Sequence, residues 1–190
     1  MHHFRHLRKS LSLGASLPVR RLIPISQSFF TSSVFGSPVN SKARTFDPNR
    51  PVAEVQVAWT GTDSLQFLGQ DASGNEVLMS ASKAPGVGPM AMLLMGLGGC
   101  SAVDIVGILQ KQRQSLEGVK IRIEGQRAEE MPRPYENIHM TFIISGKGLD
   151  KKKVDRAIEL AAEKYCGVHA TLKKAANITL SSEIIETGSQ

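Results

Sequence analysis

The sequence predicts an α+β fold in which antiparallel strands pack around one long, buried central helix. Three observations predict it. The run over residues 88–109 is apolar around its whole circumference, and a helix apolar on every side belongs in the interior of a domain. Three short alternating segments joined by turn residues precede it. Two longer alternating segments, a second helix and a last strand follow it. Strands and helices segregated in this way belong to α+β rather than to alternating α/β architecture.

Residues 1–50 stand apart in composition. They carry eight basic residues and one acid, Asp47, out of 23 and 17 in the chain, so the remaining 140 hold 15 basic and 16 acidic residues. The net charge of +6 therefore belongs to the leader. The folded part has no basic excess, which argues against a nucleic-acid-binding surface. Arg- and Ser-rich, nearly acid-free composition is that of a mitochondrial transit peptide. Arg21-Leu22-Ile23-Pro24-Ile25-Ser26 resembles a two-step processing motif, with maturation near Phe30-Thr31. Residues 1–50 are accordingly expected to be a disordered leader and linker directing the protein to the mitochondrial matrix. Residues 51–190 form one domain, long enough to bury a proper core. Two cysteines in a reducing compartment do not make a structural disulfide framework.

Within the domain, Val52, Val55 and Val57 open an alternating strand that runs to Trp59. The turn residues Gly61 and Asp63 separate it from a strand over 65–69, and Asp71, Gly74 and Asn75 separate that from a third over 76–80. Short strands with tight turns make an antiparallel meander. The central helix then runs from Pro89 to about Gln114. Proline suits the first helical position, and Lys111 and Arg113 suit the C-terminal end. Asp104 interrupts the apolar run, which argues against a membrane span. Gly96, Gly98, Gly99 and Gly107 each cost roughly 1 kcal/mol against alanine inside a helix, so another backbone is expected to approach closely. Strands over 119–127 and 135–146 flank a break at Met131-Pro132-Arg133-Pro134. Asp150 is placed to N-cap a helix over 151–165 whose buried stripe is Val154, Ala157, Ile158, Ala161 and Ala162. Cys166-Gly167 ends that helix; a further helical turn over 169–175 and a strand over 177–185 complete the domain.

Two cysteines draw the chemistry. Cys100 lies in the middle of the central helix within Gly98-Gly99-Cys100-Ser101-Ala102-Val103-Asp104, and Cys166 follows Glu163-Lys164-Tyr165. A buried cysteine among apolar neighbours is commonly an inert small hydrophobe. Both cysteines in these two contexts, together with Arg127, Pro132, Tyr135 and Ile138 and the Ala176-Asn177-Ile178-Thr179 finish, resemble the OsmC/Ohr family, in its YhfA-like branch. The resemblance covers residues 51–186. It implies an OsmC-like fold, an intertwined homodimer with two long central helices enclosed by sheets from both subunits, and sites at the subunit interface. It also implies a peroxidatic role for Cys100 and a resolving role for Cys166 in the thiol-dependent reduction of organic hydroperoxides. The reductant it implies is an external dithiol of the lipoyl type, with no bound cofactor and no metal.

The sequence departs from the family's hydroperoxide reductases at two supporting positions. Their arginine in the early turn has no counterpart in Trp59-Thr60-Gly61-Thr62-Asp63, and their glutamate ten positions before the cysteine is Met90. Burial alone would raise a thiol pKa. Arg127, Arg133 and Lys164 are the candidate replacement cations. Asp104, one turn after Cys100, is expected to serve as a buried hydrogen-bond acceptor. An alternative function is a non-enzymic dimer of the same fold, binding an apolar ligand or acting as a redox-sensitive accessory protein. Cys100, Cys166, His169 and His139 have only one close pair at ligand spacing, short of a zinc site. His169 is expected at the surface or as a cap. Ser101 lies in no nucleophile elbow, against a hydrolase.

Overall fold

The computed structural model describes residues 46–47, 49–61 and 65–188; the leader, with its targeting reading, otherwise lies outside these residues. In the unit from Asp47 to Gln190, β1 (Val55–Trp59), β2 (Gln66–Asp71) and β3 (Glu76–Ser80) form an antiparallel meander. Helix α1 spans Pro89–Lys111, with proline in its first turn as expected. A long hairpin follows, β4 (Ser115–Arg127) and β5 (Tyr135–Lys147). Then come α2 (Lys151–Leu160), a π-helical turn (Ala161–Tyr165), α3 (Gly167–Leu172) and β6 (Asn177–Glu186).

The second sheet is mixed rather than antiparallel, which corrects the expectation of two antiparallel groups. Its order is β4-β5-β6, and β6 runs parallel to β5 with Ile138 opposite Ile178 and Ile144 opposite Ile184. The helical crossover from Lys151 to Leu172 supplies the dozen or more residues a parallel return requires. Asp150 caps α2 as expected, its carboxylate accepting the N–H groups of Lys152 and Lys153 at 2.9 and 3.4 Å. The predicted stripe of α2 and the π turn is buried throughout. It packs with Ile138, Met140, Phe142 and Ile144 of β5 and with Leu97, Ile105 and Leu109 of α1 to form the core.

Helix α1 ends three residues earlier than expected, because Arg113 turns into the left-handed region at φ 56°. The larger difference concerns its burial. Leu97, Ser101, Ile105 and Leu109, one turn apart, form a fully buried line. The opposite side is open: Val103 is 74% and Met95 58% exposed. A Cβ added at Gly96, Gly99 or Gly107 would meet nothing within 4 Å among the described residues, whereas one at Gly98 would crowd Ile123. The close approach expected of Gly96, Gly99 and Gly107 is therefore not made by the described residues. The meander shows the same incompleteness, with Val55, Val57 and Trp59 of one strand face exposed. By length and composition alone α1 would suffice to cross a membrane, although its buried line packs against protein.

Candidate active site

Helix α1 places Ser101 on its buried line and Cys100 beside it, half-buried and packed against the core. Cys166 arrives from the other side. Its N–H reaches back five residues to the Ala161 carbonyl at 2.8 Å, closing the π turn. Such single wide turns inside helices often serve to place a functional side chain. Cys166 then becomes the N-cap of α3, its sulfur accepting the His169 N–H at 3.3 Å and its carbonyl the Ala170 N–H at 3.0 Å. Cys166 is 2% exposed. The Ser101 hydroxyl also donates to its sulfur, at 3.4 Å.

The fold thus brings the two thiols together across 65 intervening positions. Both are free, and the Cys166 thiol is near enough to act on the ionisation of Cys100. The backbone N–H of Val168, and more weakly that of Gly167, favour the Cys100 thiolate. Burial and the adjacent Cys166 thiol outweigh them and hold Cys100 above the ordinary thiol range. A sequence view that finds no helix N-terminus near Cys100 is therefore incomplete, because the first amides of α3 reach it from elsewhere in the chain. Cys166→Ala removes a group that raises Cys100 and leaves both amides, so the thiolate forms at lower pH. Alkylation of Cys100 by iodoacetamide at neutral pH is expected to become severalfold faster in this variant, since the thiolate is the reacting form.

The candidate supporting residues stand elsewhere. Arg127 and Arg133 are exposed at the β4–β5 hairpin end. Arg127 Nε donates to the Arg133 carbonyl at 2.6 Å, and Arg133 Nε to the Glu129 carbonyl at 3.0 Å. Both hydrogen bonds tie the side chains to carbonyls of the loop itself. Tyr135 ties this hairpin to α1, its hydroxyl donating to the Met90 carbonyl at 3.1 Å. Asp104 is half-buried and forms no hydrogen bond among the described residues, so it is not the buried acceptor expected of it. Lys164 is exposed and sits over the Tyr165 ring. His139 faces away from the core, bonded to the hydroxyls of Thr179 and Ser181 at 2.7 and 2.9 Å. Among the described residues no His, Cys, Asp and Glu group is arranged to hold a metal.

His169 is 3% exposed, not the surface histidine expected, and its Nδ1 has no partner. Burial pushes its pKa below the ordinary 6.5, with Glu163 opposing more weakly. The unfolded chain takes up a proton near 6.5 and the folded chain resists it. Stability from neutral His169 is therefore complete above that value and declines as pH falls through it. Between about pH 7 and pH 5, the urea midpoint of the wild type should fall more than that of His169→Gln.

Between α1 and β4, Ala91, Leu94, Met95, Gly98, Gly99 and Ala102 of the helix and Val119, Ile121 and Ile123 of the strand line an apolar groove of about 420 Å³, whose lining includes neither cysteine. Sequence reasoning missed the amide donors, the π turn and the role of Ser101. Only Ser101 left a signal, as the polar member of an otherwise aliphatic i, i+4 series.

Comparison with known proteins agrees with this architecture. Residues 81–181 match the family model of OsmC-like proteins. Protein YhfA of Escherichia coli is 45% identical over 135 residues, covering 70% of this chain and 98% of YhfA. The crystal structure of a hypothetical protein from Aquifex aeolicus is 32% identical with a TM-score of 0.66, covering 73% of this chain and all of that one. An organic hydroperoxide resistance protein OsmC from Legionella pneumophila shares the fold at 13% identity and a TM-score of 0.53, covering 70% of this chain and 97% of its own. The chain belongs to the OsmC-like family.

Proposed function

We propose that this OsmC-like chain reduces organic hydroperoxides with its two thiols, as a homodimer in the mitochondrial matrix. One observation carries the reading: the Cys166 sulfur, held by the Ser101 hydroxyl and the His169 N–H, packs against the turn of α1 that carries Cys100 and acts on the ionisation of that thiol. The Cys100 thiolate attacks the peroxide; an S–O bond forms, the O–O bond breaks, and the departing alkoxide takes a proton and leaves as alcohol. The Cys166 thiol then attacks the sulfenic sulfur. An S–S bond forms, the S–O bond breaks, and the thiol proton leaves with hydroxide as water. An external dithiol of the lipoyl class reduces the disulfide by two exchange steps. The apolar groove along α1 suits an organic rather than a small polar peroxide.

The open face of α1 supports the dimer. Three glycines there forgo helix stability, and none of the described residues occupies the space they leave. A second copy of the same helix, crossing closely, would fill it and would cover Val103 and Met95. The matrix location rests on the leader's composition, and lipoyl dithiols are available in that compartment.

A non-enzymic dimer is the second reading. It is favoured by the Cys100 thiol standing above the ordinary range and by the absence of the family's arginine and glutamate. Steady-state consumption of cumene hydroperoxide with dihydrolipoamide separates the two. Catalytic turnover of both substrates supports the enzyme; consumption no faster than in buffer supports the accessory protein.

A further inference from the structure

We propose that Ser101 is a positioning residue for the Cys166 thiol, its buried hydroxyl holding that sulfur against Cys100 for disulfide closure. The inference deepens the two-thiol reading and rests on it. Ser101 belongs to the line Leu97, Ser101, Ile105 and Leu109, every member of which is fully buried. The other three are aliphatic, and alanine at position 101 would favour the helix. A buried hydroxyl costs stability unless it is hydrogen-bonded. A serine inside a helix commonly returns its hydrogen to the carbonyl one turn back. Here the hydrogen goes to Cys166 Sγ, which belongs to another element.

A thiol sulfur is a weak acceptor, so the bond returns little stability to the reduced protein. Its effect is on direction. Ser101 from α1 and the His169 N–H from α3 grip one sulfur from two elements. A sulfur held on two sides keeps one rotamer, set against the turn of α1 on which Cys100 adjoins Ser101. Attack on a sulfenic sulfur is sensitive to such alignment, because the reacting atoms must be presented in line. In the closing step the Cys166 proton leaves with the hydroxide as water, and Ser101 is not consumed.

The test compares wild type, Ser101→Ala and Ser101→Thr in two arms. In the first, reduced protein meets stoichiometric cumene hydroperoxide and is quenched with dimedone. In the second, glutathione disulfide forms a mixed disulfide on Cys100; Cys166 then displaces glutathione, with no peroxide involved. Ser101→Ala should close its disulfide about tenfold more slowly in both arms, the scale of one lost hydrogen bond. Dimedone adduct should accumulate on Cys100, with a melting temperature unchanged or raised, and Ser101→Thr should restore the rate. Closure of Ser101→Ala at the wild-type rate in the glutathione arm overturns the proposal. So does slow closure accompanied by a lowered melting temperature and no rescue by threonine, which would make Ser101 structural. A wild type inert to peroxide that still closes with glutathione disulfide removes the peroxidase reading and leaves the role of Ser101 to the second arm. A wild type that closes in neither arm overturns both.

Discussion

Val103→Asp is expected to separate the proposed dimer into single folded chains. Val103 is 74% exposed within one chain, so an aspartate there meets only water and leaves the monomer's core intact. At a helix crossing between two copies, the same carboxylate enters an apolar contact and faces the open side of its mate. Burying an unpaired charge costs several kcal/mol. The dissociation constant should rise by at least about 10³-fold, or about 4 kcal/mol. Gly99→Leu provides the steric counterpart. A Cβ there meets nothing within 4 Å among the described residues, so helix propensity favours the single chain by up to about 1 kcal/mol while close approach of a second helix is blocked. Sedimentation velocity of wild type and both variants at matched concentration reads the outcome. A wild type that already sediments as one chain at micromolar concentration contradicts the dimer.

Cys100→Ser will abolish peroxide turnover, and Cys166→Ser will stop it after one event. Serine cannot form the thiolate nucleophile at neutral pH, and loss of a nucleophile costs at least about 10³-fold in turnover. Cys166→Ser retains Cys100 and both amide donors, so the first step survives. Its sulfenic acid has no second thiol in the chain, and with peroxide in excess over the external dithiol it proceeds to sulfinic acid. Dihydrolipoamide-coupled assays should thus show no turnover in the first variant and a single stoichiometric burst in the second. Full turnover by Cys166→Ser would remove the resolving role.

These two expectations draw on opposite degrees of legibility in the sequence. Alternation marked β3 and β5 almost to the residue, and Asp150 identified the start of α2, because local patterning and capping decide such features. The direction of β6 was not legible. Strand alternation is the same for parallel and antiparallel pairing, and the choice lies in the crossover through α2 and α3. The apolar circumference of α1 identified a core helix, but among the described residues only one of its faces is buried, since composition does not record which face the fold covers. The two cysteines were legible from their contexts. The donors around them were not, because the amides of Gly167 and Val168 carry no side-chain signature. The arginines nominated as cations stand on a loop whose carbonyls they hold. Ser101 was overlooked for a similar reason, since its significance depends on a sulfur brought from 65 residues away.

The most direct measurement is the intact mass of the reduced wild type after one equivalent of organic hydroperoxide, followed over minutes. The two-thiol account predicts a loss of about 2 Da, the two thiol hydrogens, with peptide mapping placing the disulfide between Cys100 and Cys166. An unchanged mass, with both thiols still open to alkylation after denaturation, would contradict it.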